Sequence, residues 1–264
     1  MLFILPLLSA CFTALITGGK GYLGSALVFE LETNCASCTR IIKATRNPRE
    51  EGDVFVDLED AESISRALET VKPNVIFHLA GAFFPCEKED AHRLIVKPNV
   101  VGTENLMTAA SEHNVRRVVM VSSMAAVRGG GQVPLDGVAF SFEDYNTESK
   151  PETGWGGAYQ YSKMLSEKRA WELSNELNLP LTTLCPSMIF GPSPSQTFSQ
   201  LSSSYSVELV RSWLAGEKPC EARLVVDVRD VAKALTRAAI SEEAKGKRVL
   251  ISNEFRSTGE EIKE

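Results

Sequence analysis

"TALITGGKGYLGSA", residues 13–26, sets four glycines between an apolar run and the start of a helical pattern. The run "TALIT" (13–17) is short, apolar and glycine-bounded, as a buried strand is; "YLGSALVFELE" (22–32) reads as a helix. Glycines between the two allow a tight turn and let a pyrophosphate come close to the backbone N–H groups of the helix start. Thr17, Gly18, Gly19, Gly21, Tyr22, Leu23 and Gly24 are therefore candidates for holding a dinucleotide cofactor. Their spacing, Gly18-x-x-Gly21-x-x-Gly24, differs from G-x-G-x-x-G.

Outward from this stretch, strand-like and helical runs alternate. "RIIKAT" (40–45), "DVFVDL" (53–58), "NVIFHLAG" (74–81), "RRVVMVSS" (116–123), "LTTLCPS" (181–187) and "KRVLIS" (247–252) read as strands. Residues 61–71, 99–114, 158–177 and 207–217 read as helices, and 223–240 as a strand running into a helix capped by Asp227. Continuous Val/Ile runs suit strands buried on both faces, and strict alternation with helices predicts a parallel sheet with right-handed crossovers. The expected fold is α/β, a doubly wound Rossmann-type sheet, with ligands beyond the carboxyl ends of the strands. Residues 12–187 are expected to form the dinucleotide-binding domain with the catalytic residues. Residues 188–264, where a Ser-rich polar stretch follows Pro192, are expected to form a small substrate lobe interleaved with the sheet.

The chain of 264 residues is 44% hydrophobic and carries a net charge of −6 without blocks of like charge, which gives no basic surface for nucleic acid. Six scattered cysteines show neither a disulfide framework nor a metal-ligand pattern, so no metal is expected and free thiols in a reducing compartment are. Residues 1–16 are uncharged but have no Lys or Arg before Lys20. They read as an extension of the first strand ahead of a targeting peptide, which favours a cytoplasmic protein without a membrane span and leaves a secretory signal open.

The chemistry centres on "GAYQYSKMLSEKRAW" (157–171). Residues four apart share a helix face and residues two apart do not, so Tyr159 pairs with Lys163 and Tyr161 faces elsewhere. A phenol of pKa about 10 is a poor acid or base at neutral pH, and a nearby ammonium improves it. Tyr159 can then pass a proton to or from a carbonyl oxygen while Lys163 also holds ribose hydroxyls. At the end of the second strand no acid waits for a ribose 2′-hydroxyl; Arg46 stands there with Lys43 and Arg49 nearby, which suits a 2′-phosphate and puts NADP(H) ahead of NAD(H).

These pieces together resemble the extended short-chain dehydrogenases/reductases, also called the NAD-dependent epimerase/dehydratase family. The glycine loop resembles their T-G-x-x-G-x-x-G, and Asp57-Leu58 the pair beside adenine. "HLAG" resembles the cofactor-lining H-x-A-A/G, with Leu79, Ala80 and Gly81. "NVVGTENLMTAA" supplies Asn99, and "CPSMIFGP" brings Pro186 and Met188 beside the nicotinamide. The resemblance spans residues 13–252 and is strongest to the dihydroflavonol, cinnamoyl-CoA and aldehyde reductase group, through S-K-x-x-S-E-x-x-A-W and "VVDVRDVAKAL" (225–235). In that group's S-S-x-x-x-V spacing the carbonyl-orienting serine is Ser123. The resemblance implies NADPH-dependent reduction of an aldehyde or ketone, by a small-molecule enzyme acting alone or as a homodimer. A nucleotide-sugar epimerase/dehydratase holding NAD, and a non-catalytic dinucleotide-binding protein, are the other readings. Two departures stand out. Arg128 replaces the asparagine that flavonoid reductases often use to read substrate. The relatives also continue well past the last strand, so a shortened substrate lobe is expected.

Overall fold

In the computed structural model, residues 11–135, 137–192, 204–218, 223–253 and 255–256 are described. The first ten residues, and with them the targeting question, lie outside, as does most of the Ser-rich stretch. Strand β1 (Phe12–Thr17) explains its own sequence. Ala14 and Ile16 point into one apolar cluster and Leu15 into another, so side chains on both faces must be apolar. On one side β1 and its neighbours are covered by α1 (Tyr22–Asn34) and α7 (Val228–Ile240), through Leu27, Leu31, Val231 and Leu235. On the other they are covered by α2 (Ala61–Val71), α3 (Lys97–Glu112) and α5 (Trp155–Glu176), through Ile64, Leu68, Leu106 and Leu173. Each large aliphatic side chain so buried contributes about 1.5–3 kcal/mol.

The remaining strands are β2 (Cys38–Thr45), β3 (Asp53–Phe55), β4 (Val75–His78), β5 (Arg117–Val121), β6 (Leu181–Pro186) and, late in the chain, β9 (Arg248–Ile251). They pair in parallel in the order β3-β2-β1-β4-β5-β6-β9. This is the doubly wound Rossmann-type sheet, and the order reverses between β1 and β4, where such folds open a crevice. A second, small sheet joins β7 (Met188–Phe190), β8 (Arg223–Asp227) and β10 (Phe255–Arg256). The segment after residue 187 thus builds the small sheet and α6 (Tyr205–Leu214), and also supplies β9 and α7 to the main layers.

Caps fix the helix starts that the sequence marks. Asp60 accepts from the backbone N–H groups of Glu62 and Ser63, and Asp227 from that of Arg229. Two strands end earlier than their apolar runs. β3 stops at Phe55 because residues 57–60 turn, with the Asp57 carboxylate accepting from Glu59 N–H at 3.0 Å. β4 stops at His78, where the chain leaves the sheet toward the crevice. A π-turn, His92–Val96, leads directly into α3. No helix among the described residues is long and apolar enough to cross a membrane.

Candidate active site

The glycine loop, Arg46, Asp57-Leu58, the end of "HLAG" and Ser122-Ser123 follow the carboxyl ends of β1 to β5 in the main sheet. After β1 the chain turns through Gly18, whose φ of +73° belongs to the left-handed region. A Cβ on Gly18 would meet Ala80 N at 2.9 Å, and one on Gly24 would meet Gly18 O at 2.1 Å. The loop, helix α1 and the end of β4 are therefore in backbone contact. Gly21 is the N-cap of α1; no side chain caps it and no acid sits in the first turn. An uncapped, acid-free helix start at the topological switch point fits the phosphates of a dinucleotide.

Behind the loop, Thr17 is buried and its hydroxyl lies 2.9 Å from His78 Nδ1 while accepting from Ala80 N–H at 3.2 Å. His78 Nε2 meets the Thr103 hydroxyl at 3.3 Å. Burial, then the nearby Lys163 charge, push His78 down to about 3, so it is a neutral structural bridge. Asn99 holds the strand exit: its side chain accepts from Ala82 N–H and donates to Ala82 O and Ser162 Oγ.

At the adenosine end, Arg46 follows the last residue of β2 and is exposed, with no hydrogen bond or ion pair among the described residues. Two lysines nearby are engaged. Lys20 pairs with Asp53 at 2.6 Å and Lys43 with Glu50 at 2.5 Å. Asp53 also accepts from Arg49 and Glu50 N–H; burial raises its carboxyl, but these bonds and Lys20 outweigh it and hold Asp53 near 2. Asp57 and Leu58 follow β3 at the same edge; Leu58 packs against Gly102 and its carbonyl accepts from Asn105.

Beyond the ends of β4, β5 and β6 lies a cleft of about 640 Å³. Tyr22, Leu23, Leu79, Gly81, Ser123, Tyr159, Lys163, Pro186 and Met188 line it. Of the other candidates, Thr17, Gly18, Gly19, Gly21, Gly24 and Ala80 form the turn and strand exits behind it, Asn99 braces it, and Arg46, Asp57 and Leu58 stand at the far end of the sheet edge. The two tyrosines of α5 part as the helical spacing requires. Tyr159 reaches the cleft, and Tyr161 packs with Ala91, Ile95 and Val96 away from it. The two serines both line the cleft but hold different partners. Ser122 is buried and donates to Glu167 at 2.9 Å, whereas Ser123 caps the one-turn helix α4 (Met124–Val127) and hydrogen-bonds Tyr159. Burial raises the Tyr159 phenol and the Ser123 bond partly offsets it. Lys163 donates to Val121 O at 2.9 Å; burial brings its ammonium down to about 8 against the opposing pull of Glu167.

Three side chains of this site escaped the sequence reading. Phe83, Trp155 and Tyr205 form an aromatic wall with Tyr159, ring centroids 4.3–5.9 Å apart. Arg128 also lines the cleft. The doublet "FF" just past "HLAG" was the available signal. Beneath the site, fully buried Glu167 receives two hydrogen bonds from Arg248 at 2.9 and 3.0 Å, plus those of Ser122 and Thr183 and the Cys185 thiol. Arg248 continues to the carbonyls of Phe142 and Asp144 and stacks on Tyr145 at 3.9 Å.

A family model described as NAD dependent epimerase/dehydratase family matches residues 14–252. Cinnamoyl-CoA reductase 1 of Petunia hybrida is 32% identical over 198 residues, 72% of this chain and 54% of that protein, so the chain spans about half its length. An anthocyanidin reductase ((2S)-flavan-3-ol-forming) of Vitis vinifera is 29% identical over 261 residues, 89% of this chain and 75% of that one. The yeast methylglyoxal/isovaleraldehyde reductase Gre2, solved with NADPH, shares the fold at a TM-score of 0.77 and 23% identity, covering 91% of this chain and 78% of that one.

Proposed function

The chain belongs to the NAD dependent epimerase/dehydratase family, the extended short-chain dehydrogenases/reductases, and from that premise we propose that it is an NADPH-dependent reductase of aldehydes or ketones. The observation that carries the reading is the meeting of Tyr159, Ser123 and Lys163 in one cleft with an aromatic wall and, among its described lining residues, no carboxylate. Burial holds the Tyr159 phenol above its ordinary value, opposite to the lowering expected from Lys163, so the phenol carries its proton at neutral pH and gives it up only with help at the moment of reaction. Reduced nicotinamide, when bound, supplies the hydride to the carbonyl carbon and is itself oxidised. Tyr159 gives its proton to the carbonyl oxygen, so the C=O bond becomes CH–OH, and water then reprotonates the phenolate. Ser123, which lines the cleft with Tyr159, orients that oxygen with its hydroxyl. Lys163, cationic below about pH 8, stabilises the phenolate as it forms. The Gly18–Gly24 loop would hold the pyrophosphate and Arg46 the 2′-phosphate, while Asp57, Leu58, Leu79, Ala80, Gly81, Pro186 and Met188 would flank the cofactor. Asn99 would act through the backbone it braces. Consumption of NADPH against a panel of aryl and aliphatic carbonyl compounds tests the reading, and no consumption with any of them, alongside NAD retained through purification, would replace it with the epimerase.

A further inference from the structure

The described cleft lining contains two charged side chains, Lys163 and Arg128, and no acid, in a chain whose net charge is −6. Lys163 is buried and committed to Val121 O. Arg128 is exposed at the cleft and holds almost nothing. Its Nε reaches Gly129 O only at 3.5 Å, and its guanidinium carbon lies 5.9 Å from the Phe140 ring. Among the described residues no carboxylate pairs with it. Two glycines, Gly129 and Gly130, follow it along the lining: Gly129 is packed against Asn146 and Glu148, whose carboxylate accepts from Gly131 N–H, whereas a Cβ on Gly130 would meet nothing within 4 Å, so the space is open at Gly130. The placement of its backbone is fixed. Ser123 and Arg128 are the N-cap and C-cap of α4, with Ser123 accepting from Ala125 N–H and Arg128 N–H reaching Met124 O. The four residues of α4 rise about 6 Å, so one turn separates the backbones of Ser123 and Arg128.

A planar fork of donors without an acceptor, facing an acid-free cleft with an aromatic wall, matches a carboxylate, which it can bind bidentately. Resting on the reductase reading, we infer that the substrate is an oxo acid: an aldehyde or ketone with an aromatic or similarly apolar body against Phe83, Trp155 and Tyr205, and a carboxylate taken by Arg128. The same open cation would repel amines and give neutral carbonyl compounds no anchor.

The test compares para-carboxybenzaldehyde with its methyl ester and with para-formylphenyl phosphate. The native protein should favour the acid over the ester in kcat/KM by about 10-fold or more, the range of a charge-assisted pair. Arg128→Gln should bring that ratio toward one, and Arg128→Lys should keep part of it. A second readout needs no turnover: para-(hydroxymethyl)benzoate should quench tryptophan fluorescence, with Trp155 in the wall, more than its methyl ester does, and Arg128→Gln should erase the difference. Equal use of acid and ester by the native protein, or equal losses for both in Arg128→Gln, overturns the assignment while leaving the reductase standing. Preference for the phosphate overturns the carboxylate class. If no carbonyl compound is consumed the reductase reading fails, and the quenching difference alone then decides whether Arg128 is an anion site.

Discussion

Tyr159 and Tyr161 differ by two positions on one helix, and that difference carries a prediction. Tyr159→Phe should lose turnover by about 100- to 10,000-fold, the worth of a positioned proton donor, while NADPH binding by fluorescence persists. Tyr161→Phe should keep most activity, since its ring packs on the π-turn rather than in the cleft; equal losses would refute the assignment. The Lys163 ammonium, brought down to about 8 by burial, gives the pH profile its sign. Reduction should hold steady below that value and decline above it, as the charge behind the phenolate is lost, and a rate still climbing above pH 9 would contradict it. On the proposed reading Arg46 would hold the other end of the cofactor. NADPH should be preferred to NADH by about 10- to 150-fold, narrowing with salt because the group is exposed. Arg46→Ala should remove most of the preference by weakening NADPH, as kcat/KM for both cofactors would reveal. His78 adds a stability signature. It stays neutral in the fold down to about 3, whereas the unfolded chain takes up a proton below 6.5. Between those values the unfolded state binds more protons, so stability falls as pH falls. His78→Gln should flatten part of that slope in denaturant titrations between pH 6 and 4.

At the level of elements, the strand–loop–helix start is where local sequence and tertiary contact agree most closely. Gly18→Ala would meet both a left-handed φ of +73° and the Ala80 backbone at 2.9 Å, so it should cost cofactor binding and several degrees of Tm. Gly130→Ala enters open space and should leave Tm unchanged. A Gly18→Ala protein of native Tm and native NADPH affinity would deny the backbone contact. The strands and helices were legible because two-sided burial writes continuous apolar runs and caps write Asp at helix starts. β1, α2 and β9 lie within a residue of their sequence signals. The early end of β3 was not legible, since "DVFVDL" continues its apolar pattern into a turn made by Asp57. Nor was the aromatic wall, because Phe83, Trp155 and Tyr205 come from three distant segments and meet only in the fold. The spacing of the group that the chain resembles singled out Ser123, which lines the cleft; Arg128 was noticed as a departure, but its surroundings needed the structure.

Across the whole molecule, β9 is tied to helix α5. Arg248 on β9 and Glu167 on α5 form a pair whose side chains are 6% and 0% exposed. Removing one partner leaves the other buried and uncompensated, at a cost of about 3–5 kcal/mol. Glu167→Gln and Arg248→Met should each lower stability by that order, and the double variant by less than their sum. Additive losses in urea melts would show that the two side chains act independently. The same pair sets the behaviour of the thiol beside it. Cys185 is wholly buried, and burial first, then the Glu167 charge, push its thiol up to about 12. A thiol without access or thiolate character is inert to alkylation, whereas Cys11 is exposed. Iodoacetamide should therefore mark Cys11 at once and Cys185 only as fast as β6 leaves the sheet. The slower of the two labelling rates becomes an intrinsic clock for global opening, read by mass spectrometry on the native chain with no dye attached.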